Sequence, residues 1–274
     1  MKFDPAGLDK WTSPEPFDVT RARLVEYAAA TNDPIPAHAS GDVASPVFAI
    51  VPVFQSLLEP ALEVVPTSLF GRVLHGEQDF RFHRPIRPGD SLVSRAKMTG
   101  FEGLPKGTRA TVYLECRLAS GELVNEQYVT FFVRGFDNGS KEGSLGPSHR
   151  FDEALRATPP VATVSQHVDD DQTYRYGPAA GDPMPIHLDA EVARAAGLPG
   201  IIAHGLCTMA FTSWAVLTSV APAGSLRRLA VRFAAPVLPG QDLSTSIWAA
   251  GPGSYAFETK VGDTLVIKDG LAEL

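Results

Sequence analysis

Gly181-Asp182-Pro183-Met184-Pro185-Ile186-His187 is the stretch on which the reading of this chain turns. Each proline fixes its own φ and pushes the residue before it into extended backbone. Asp182 and Met184 are therefore expected to be extended, and the segment cannot be helix. A stiff, irregular loop of this kind aims a carboxylate and an imidazole at one place. A worn copy, Asp33-Pro34-Ile35-Pro36-Ala37-His38, stands 149 residues upstream.

Two further pairs of segments keep nearly the same offset. Val19-Thr20 followed by 21–27 matches Val168-Asp169 followed by 170–176. Thr20 and Asp169 are predicted N-caps, and Gln172 completes a capping box with Asp169. Phe82 to Leu92 matches Phe233 to Leu243 at an offset of 151, each with a Pro-Gly turn between two β-like runs. Ordered matches at almost constant spacing make the chain a diverged tandem repeat. The Gly/Ser-rich run Asn138 to Pro147 and the pair Pro159-Pro160 mark a linker. The expected division is 1–136, 137–160 and 161–274.

Each half carries the loop, then a long apolar helix, then alternating strands. The helices are expected over Val47 to Val64, where Pro52 and Pro60 interrupt the pattern, and over Ala203 to Val220. The strand runs are 92–99, 109–118 and 123–133, then 226–233, 243–249, 255–261 and 264–268, with Gly262-Asp263 as a hairpin turn. One buried helix followed by an antiparallel meander predicts an α+β half whose sheet wraps the helix. Two such halves can pair their sheets.

Composition narrows the function classes. A content of 44% hydrophobic and 20% charged residues belongs to a globular domain. The net charge of −7, with no cluster of Lys or Arg, argues against a nucleic-acid partner. Two cysteines cannot form a disulfide scaffold, and no apolar leader follows Met1, so the expected compartment is cytoplasmic. The twenty residues from Ile201 to Val220 reach bilayer-spanning length. His204, Gly205, Thr208, Thr212, Ser213, Thr218 and Ser219 within them favour a helix wrapped by protein, with no membrane.

The loop, the helix from Asp189 to Ala196 and the His204-Gly205 that opens the central helix carry a resemblance. The stretch Tyr176 to Met209 resembles the MaoC-like, R-specific enoyl-CoA hydratases (hydratase 2), whose loop reads Gly-Asp-x-Asn-Pro-x-His. The first half, with Leu74-His75-Gly76-Glu77-Gln78 and Phe82-His83-Arg84-Pro85, resembles the degenerate N-terminal half of double hot-dog members. The resemblance implies a double hot-dog fold and a hydro-lyase of fatty acid metabolism. Such an enzyme reversibly hydrates 2-enoyl thioesters, on CoA or an acyl carrier, to R-3-hydroxyacyl thioesters. One departure stands out: Met184 replaces the family's Asn, a thioether for an amide.

Hydration needs a base for the water, a proton for C2 and a donor for the thioester oxygen. Asp182 and His187 can share the water, with Asp182 as base and His187 as partner. The free N–H groups at the start of the central helix suit the oxygen, and Gly205 lets it approach. His204 and Met184 line the same site. No cofactor and no metal are needed, because the reaction is redox-neutral and the thioester is the electron sink. The expected partner is the acyl-CoA or acyl-carrier substrate, and a homodimer is compatible with the fold. Cys207 could share a helix face with His204, but a buried thiol is the plainer reading. In the first half Pro52, with no N–H, stands where a donor is wanted. That copy is expected to be inactive and its apolar space left for an acyl chain. Three other readings remain open at this point: an acyl-thioester-binding protein without turnover, thioester hydrolysis on the same fold, and a two-His-one-carboxylate metal enzyme built on Asp182, His187 and His204.

Overall fold

Alternation of buried and more exposed side chains along residues 91–100 favours a strand, with Leu92, Ser94, Ala96 and Met98 all turned inward. The computed structural model describes residues 2–274. The strands are β1 (Glu15–Asp18), β2 (Val73–Phe82), β3 (Ser91–Leu104), β4 (Gly107–Leu118), β5 (Leu123–Arg134), β6 (Lys141–Gly143), β7 (Ala162–His167), β8 (Arg228–Phe233), β9 (Asp242–Gly251), β10 (Ser254–Val261) and β11 (Thr264–Glu273). The α-helices are α1 (Arg21–Ala30), α2 (Pro36–Ala39), α3 (Phe54–Val64), α4 (Gln172–Ala180), α5 (Ala190–Ala195) and α6 (Gly205–Val220).

The chain folds into two units that interleave along the sequence. The first takes the residues up to Asp18, Pro52–His83 and Ser91–Ser148. The second takes Val19–Val51, Arg84–Asp90 and His149–Leu274. Within the first, antiparallel strands run in the order β1-β3-β4-β5-β2, β6 adds to β3, and α3 packs on β3 and β4. Within the second the order is β7-β9-β10-β11-β8, and α6 lies against β7, β8, β9 and β11. Strand for strand the two orders are the same, as a tandem repeat requires. The expected α+β layout, a sheet with a central helix in each unit, is what the chain adopts.

The central helices differ. α6 is one regular helix, whereas the first-half helix is a 3-10 segment, Pro46–Val53, that passes into α3 at Phe54. Pro52 has no N–H for an α-type ladder, so the turns before Phe54 tighten instead. Pro60 is accommodated inside α3. α6 has 16 residues, short of a bilayer span of about 20. The stretch Pro46–Val64 is long and apolar enough to cross a membrane by length and composition, but 67% of it is buried in the protein.

Three local expectations change. Asp169 is not the cap of α4, which begins at Gln172 after Asp171. The Gln172 side chain does accept the Asp169 N–H at 3.2 Å, but the Asp169 carboxylate is drawn away by Arg175 and Asn32. Thr20 caps α1 as expected, its hydroxyl accepting the Arg23 N–H at 3.3 Å. The strand β2 was illegible because it buries polar side chains, Gln78 and Asp79, where the strand pattern calls for apolar ones. The linker is ordered enough to contain β6.

α1 and α4 are the repeat-related helices, and they pack together inside the second unit. Tyr27 and Tyr176, 149 residues apart, meet hydroxyl to hydroxyl at 3.2 Å. The offset found in the sequence is thus a contact between equivalent residues.

Candidate active site

Local chemistry fixes the loop before any tertiary contact does. α4 ends at Gly181 with φ of +71°, a left-handed cap that a side chain would strain. The next N–H, of Asp182, turns back to the Gly177 carbonyl at 2.9 Å. The Asp182 carboxylate then accepts the Met184 N–H at 3.1 Å, an Asx turn. Pro185 opens a single 3-10 turn that ends at His187, whose N–H bonds to the Met184 carbonyl at 3.1 Å. Asp189 caps α5 through the Glu191 and Val192 N–H groups. Backbone and carboxylate are therefore pinned from both sides.

The structure brings Asp182, His187 and His204 together, one donor or acceptor atom of each lying within 4.8 Å of the others. His187 Nδ1 sits 2.8 Å from the Ile202 carbonyl. A carbonyl only accepts, so Nδ1 carries the hydrogen and Nε2 of the neutral ring presents a lone pair. His204 stacks on His187 with ring centres 3.9 Å apart and planes 27° apart, and the tilted Tyr176 ring has its centre 4.9 Å from that of His204. His204 is 1% exposed, and the backbone of Asp182 is the hydrogen-bond partner that acts on its ring.

Electrostatics follow from burial. Loss of solvent raises the Asp182 carboxyl above the usual range, opposed by the Met184 N–H and by His187. Burial lowers His187, opposed by the Ile202 carbonyl and Asp182. Burial, with the neighbouring His187, lowers His204 to about 3, so it is neutral at any ordinary pH. Cys207 is 1% exposed, and burial pushes its thiol far above the thiolate range, which removes it as a nucleophile.

Gly205 is the first residue of α6, directly after His204 in extended backbone with ψ of 134°. No described residue accepts its N–H, and the first intrahelical bond comes from Thr208 to His204 at 3.1 Å. An added Cβ at Gly205 would stand 3.3 Å from the Phe233 ring. Met184 is half exposed at the loop tip, and it is its backbone that serves Asp182. Gly177 was not foreseen. A Cβ there would come 3.2 Å from the Asp182 carbonyl and 3.7 Å from the His204 ring. The signal was present as Tyr176-Gly177 within a helix, where glycine is costly without a reason.

The first copy is built differently. Asp33 accepts the Ile35 N–H at 3.0 Å, the same Asx turn. Its other oxygen is closed off by His38 Nδ1 and by the Ser45 hydroxyl, each at 2.7 Å. Both Asp33 and His38 side chains are sealed from solvent. In the second copy no direct Asp182–His187 hydrogen bond is found among the described residues, so the two groups stay separate. Aligning the helix starts places Val53 opposite His204 and Phe54 opposite Gly205, rather than Pro52. Val53 is already helical, with ψ of −4°, so α3 has no open first turn. Pro52 matters because it belongs to that preceding turn.

Asp182, His187 and His204 also offer the donor set of a two-His-one-carboxylate metal site. As arranged, the cluster suits hydrogen bonding to a small molecule.

Comparison with known proteins covers both halves. Residues 152–270 match the family described as MaoC like domain, and residues 8–127 match the FAS1-like, dehydratase domain region. The chain is 29% identical to the 3-hydroxyacyl-thioester dehydratase Y of Mycobacterium tuberculosis, over all of this chain and 99% of that one. It is 31% identical to the peroxisomal enoyl-CoA hydratase 2 of Arabidopsis thaliana, over 79% of this chain and 72% of that one. In fold it is similar to a MaoC-like dehydratase from Phytophthora capsici, with a TM-score of 0.85, 22% identity and 97% and 96% of the two chains covered. A double hot-dog protein of M. tuberculosis aligns with a TM-score of 0.55 and 16% identity over 96% and 95% of the chains. Fold, repeat order and full-length likeness agree: this chain belongs to the MaoC-like, enoyl-CoA hydratase 2 family of double hot-dog hydro-lyases.

Proposed function

We propose that this protein hydrates 2-enoyl thioesters reversibly to R-3-hydroxyacyl thioesters, with Asp182 and His187 as the acid–base pair and Gly205 as the oxyanion donor. The observation that carries the reading is the contrast between the two copies. In the first, Asp33 and His38 are bonded to each other and sealed, whereas in the second Asp182 and His187 are separate and face a third polar group. Asp182 accepts the proton of a water whose oxygen attacks C3. The pair as a unit returns a proton to C2 on the same face, so addition is syn. The Gly205 N–H, at the positive end of α6, stabilises the charge that develops on the thioester oxygen, a contribution of about 2.7–4 kcal/mol in comparable sites. The substrate is an acyl-CoA or acyl-carrier thioester, the repeats are 1–136 and 161–274 joined by 137–160, and the protein works in the cytoplasm, as a single chain or a homodimer. The test is a panel of 2-enoyl-CoAs with and without chelator, following loss of enoyl absorbance and product chirality. Chelator-insensitive R product is expected. Free CoA would indicate thioester hydrolysis, and acyl-CoA binding without turnover a binding module.

A further inference from the structure

The bare side of Gly205 is already occupied. The three nearest atoms to a Cβ built there, apart from the helix's own, are carbons of one ring: Phe233 Cδ1 and Cε1 at 3.3 Å and Cζ at 3.5 Å. Carbons so nearly equidistant place the missing Cβ over the face of the ring, since an approach at the ring edge would leave the third carbon clearly farther away. The ring is therefore laid flat on the Cα that opens α6. Any side chain at this residue would push the ring outward.

The ring sits on a fixed base. Phe233 is the last residue of β8 and pairs with Ile267 of β11. The Ala234 N–H donates to the Val266 carbonyl at 2.9 Å, and the Val237 carbonyl accepts the Ala203 N–H at 2.7 Å. The segment 233–237 thus grips the entry to α6 at two points, Ala203 and Gly205, and the Ile202 carbonyl that holds His187 lies beside the first. Gly205 and Phe233 are both partly exposed, whereas Ala203, His204, Leu206 and Val237 around them are buried. The first copy has no such arrangement. Its helix α3 opens with Phe54 in place of Gly205, and Phe82, the repeat counterpart of Phe233, stacks on Phe80 at 5.7 Å.

We propose that Phe233 is a positioning residue for the oxyanion step, its ring holding the Gly205 N–H in place and keeping water from one side of it. The inference rests on the hydratase reading above. An N–H open to bulk water must shed a hydrogen bond as charge develops on the thioester oxygen, whereas a dry and fixed one need not. The apolar ring beside it also lowers the local dielectric, which strengthens the bond formed in the transition state. The thioester oxygen then reaches the N–H along the rim of the ring, and residue 205 is glycine to admit the ring.

The test is a double-mutant cycle on Phe233 and Gly205, read as steady-state hydration of a medium-chain trans-2-enoyl-CoA per folded molecule. Phe233→Ala is expected to lower kcat at least about tenfold with KM within about threefold, the pattern of an interaction realised in the transition state. In wild type the methyl of Gly205→Ala meets the ring, but in Phe233→Ala it has room. The double variant is therefore expected within about threefold of Phe233→Ala alone. A methyl that blocked the substrate oxygen directly would act equally in both backgrounds, so losses that multiply overturn the inference. A Phe233→Ala enzyme within about threefold of wild-type kcat overturns it too. Phe233→Val, β-branched and suited to a strand, runs the same cycle with the same outcomes should alanine unfold the chain. Asp182→Asn is run alongside. If it is inactive while the losses multiply, only the role of Phe233 fails. If Asp182→Asn is active, the hydratase site itself has been misread.

Discussion

Replacing His204 by Phe has a consequence for stability that can be worked from the structure. His204 titrates near 3 in the folded chain against about 6.5 when unfolded, because burial penalises its charged form. As pH falls below 6.5, the unfolded chain binds a proton at this residue and the folded chain does not. The unfolded state gains, so the contribution is fully present above pH 6.5 and is lost progressively down to about pH 3. Each pH unit is worth about 1.4 kcal/mol, so by pH 5 the loss due to His204 is about 2 kcal/mol. His187 and His75, the latter lowered by burial to about 4, act in the same direction, and the raised Asp182 carboxyl acts against them. All three are present in both proteins, so the difference between wild type and His204→Phe isolates His204. Urea unfolding at pH 7 and pH 5 reads it directly. The variant is expected to lose about 2 kcal/mol less stability over that interval than wild type. Equal losses would mean that His204 is solvated or already charged in the folded chain.

Asp182→Asn is expected to lower kcat by at least about a hundredfold with the fold intact, and to be more stable than wild type above pH 7, where the buried carboxylate is ionised. Full activity would remove Asp182 from the acid–base role. Asp33→Ala leaves His38 and Ser45 buried without their carboxylate, and a loss of about 3 kcal/mol in urea unfolding is expected, with kcat per folded molecule unchanged. A matching loss of kcat would show that the first copy takes part in chemistry. Gly205→Ala sets a methyl 3.3 Å from the Phe233 ring and beside the donor N–H, so kcat should fall about tenfold or more while Tm moves little. Met184→Asn keeps the backbone N–H that Asp182 uses and is expected to change stability by less than about 0.5 kcal/mol. A rise in kcat/KM measures what the thioether costs, and no change assigns it a surface role.

The loop was readable in advance because its constraints are local. Pro183, Pro185 and Gly181 act on their own and adjacent torsions, so Asp182 and His187 could be placed near one another without any knowledge of the rest of the chain. The repeat was equally readable, since two loops and two Pro-Gly turns kept their spacing, and it predicted one strand order used twice. The limits were also physical. β2 escaped because Gln78 and Asp79 are buried where the strand pattern calls for apolar residues. The cap at Asp169 was displaced because Arg175 and Asn32, one of them 137 residues away, compete for its carboxylate.

What the sequence determined by itself is a doubled α+β chain with a stiff Asp–His loop in each copy, since backbone restriction and periodicity are properties of neighbours along the chain. Which copy is open was decided only by tertiary structure. Ser45 and His38 close over Asp33, while the Ile202 carbonyl holds His187 away from Asp182 and His204 stacks against it. Ser45, Ile202 and His204 lie 12 to 17 residues from the groups they control, and no spacing rule foretells which oxygen a carboxylate will share.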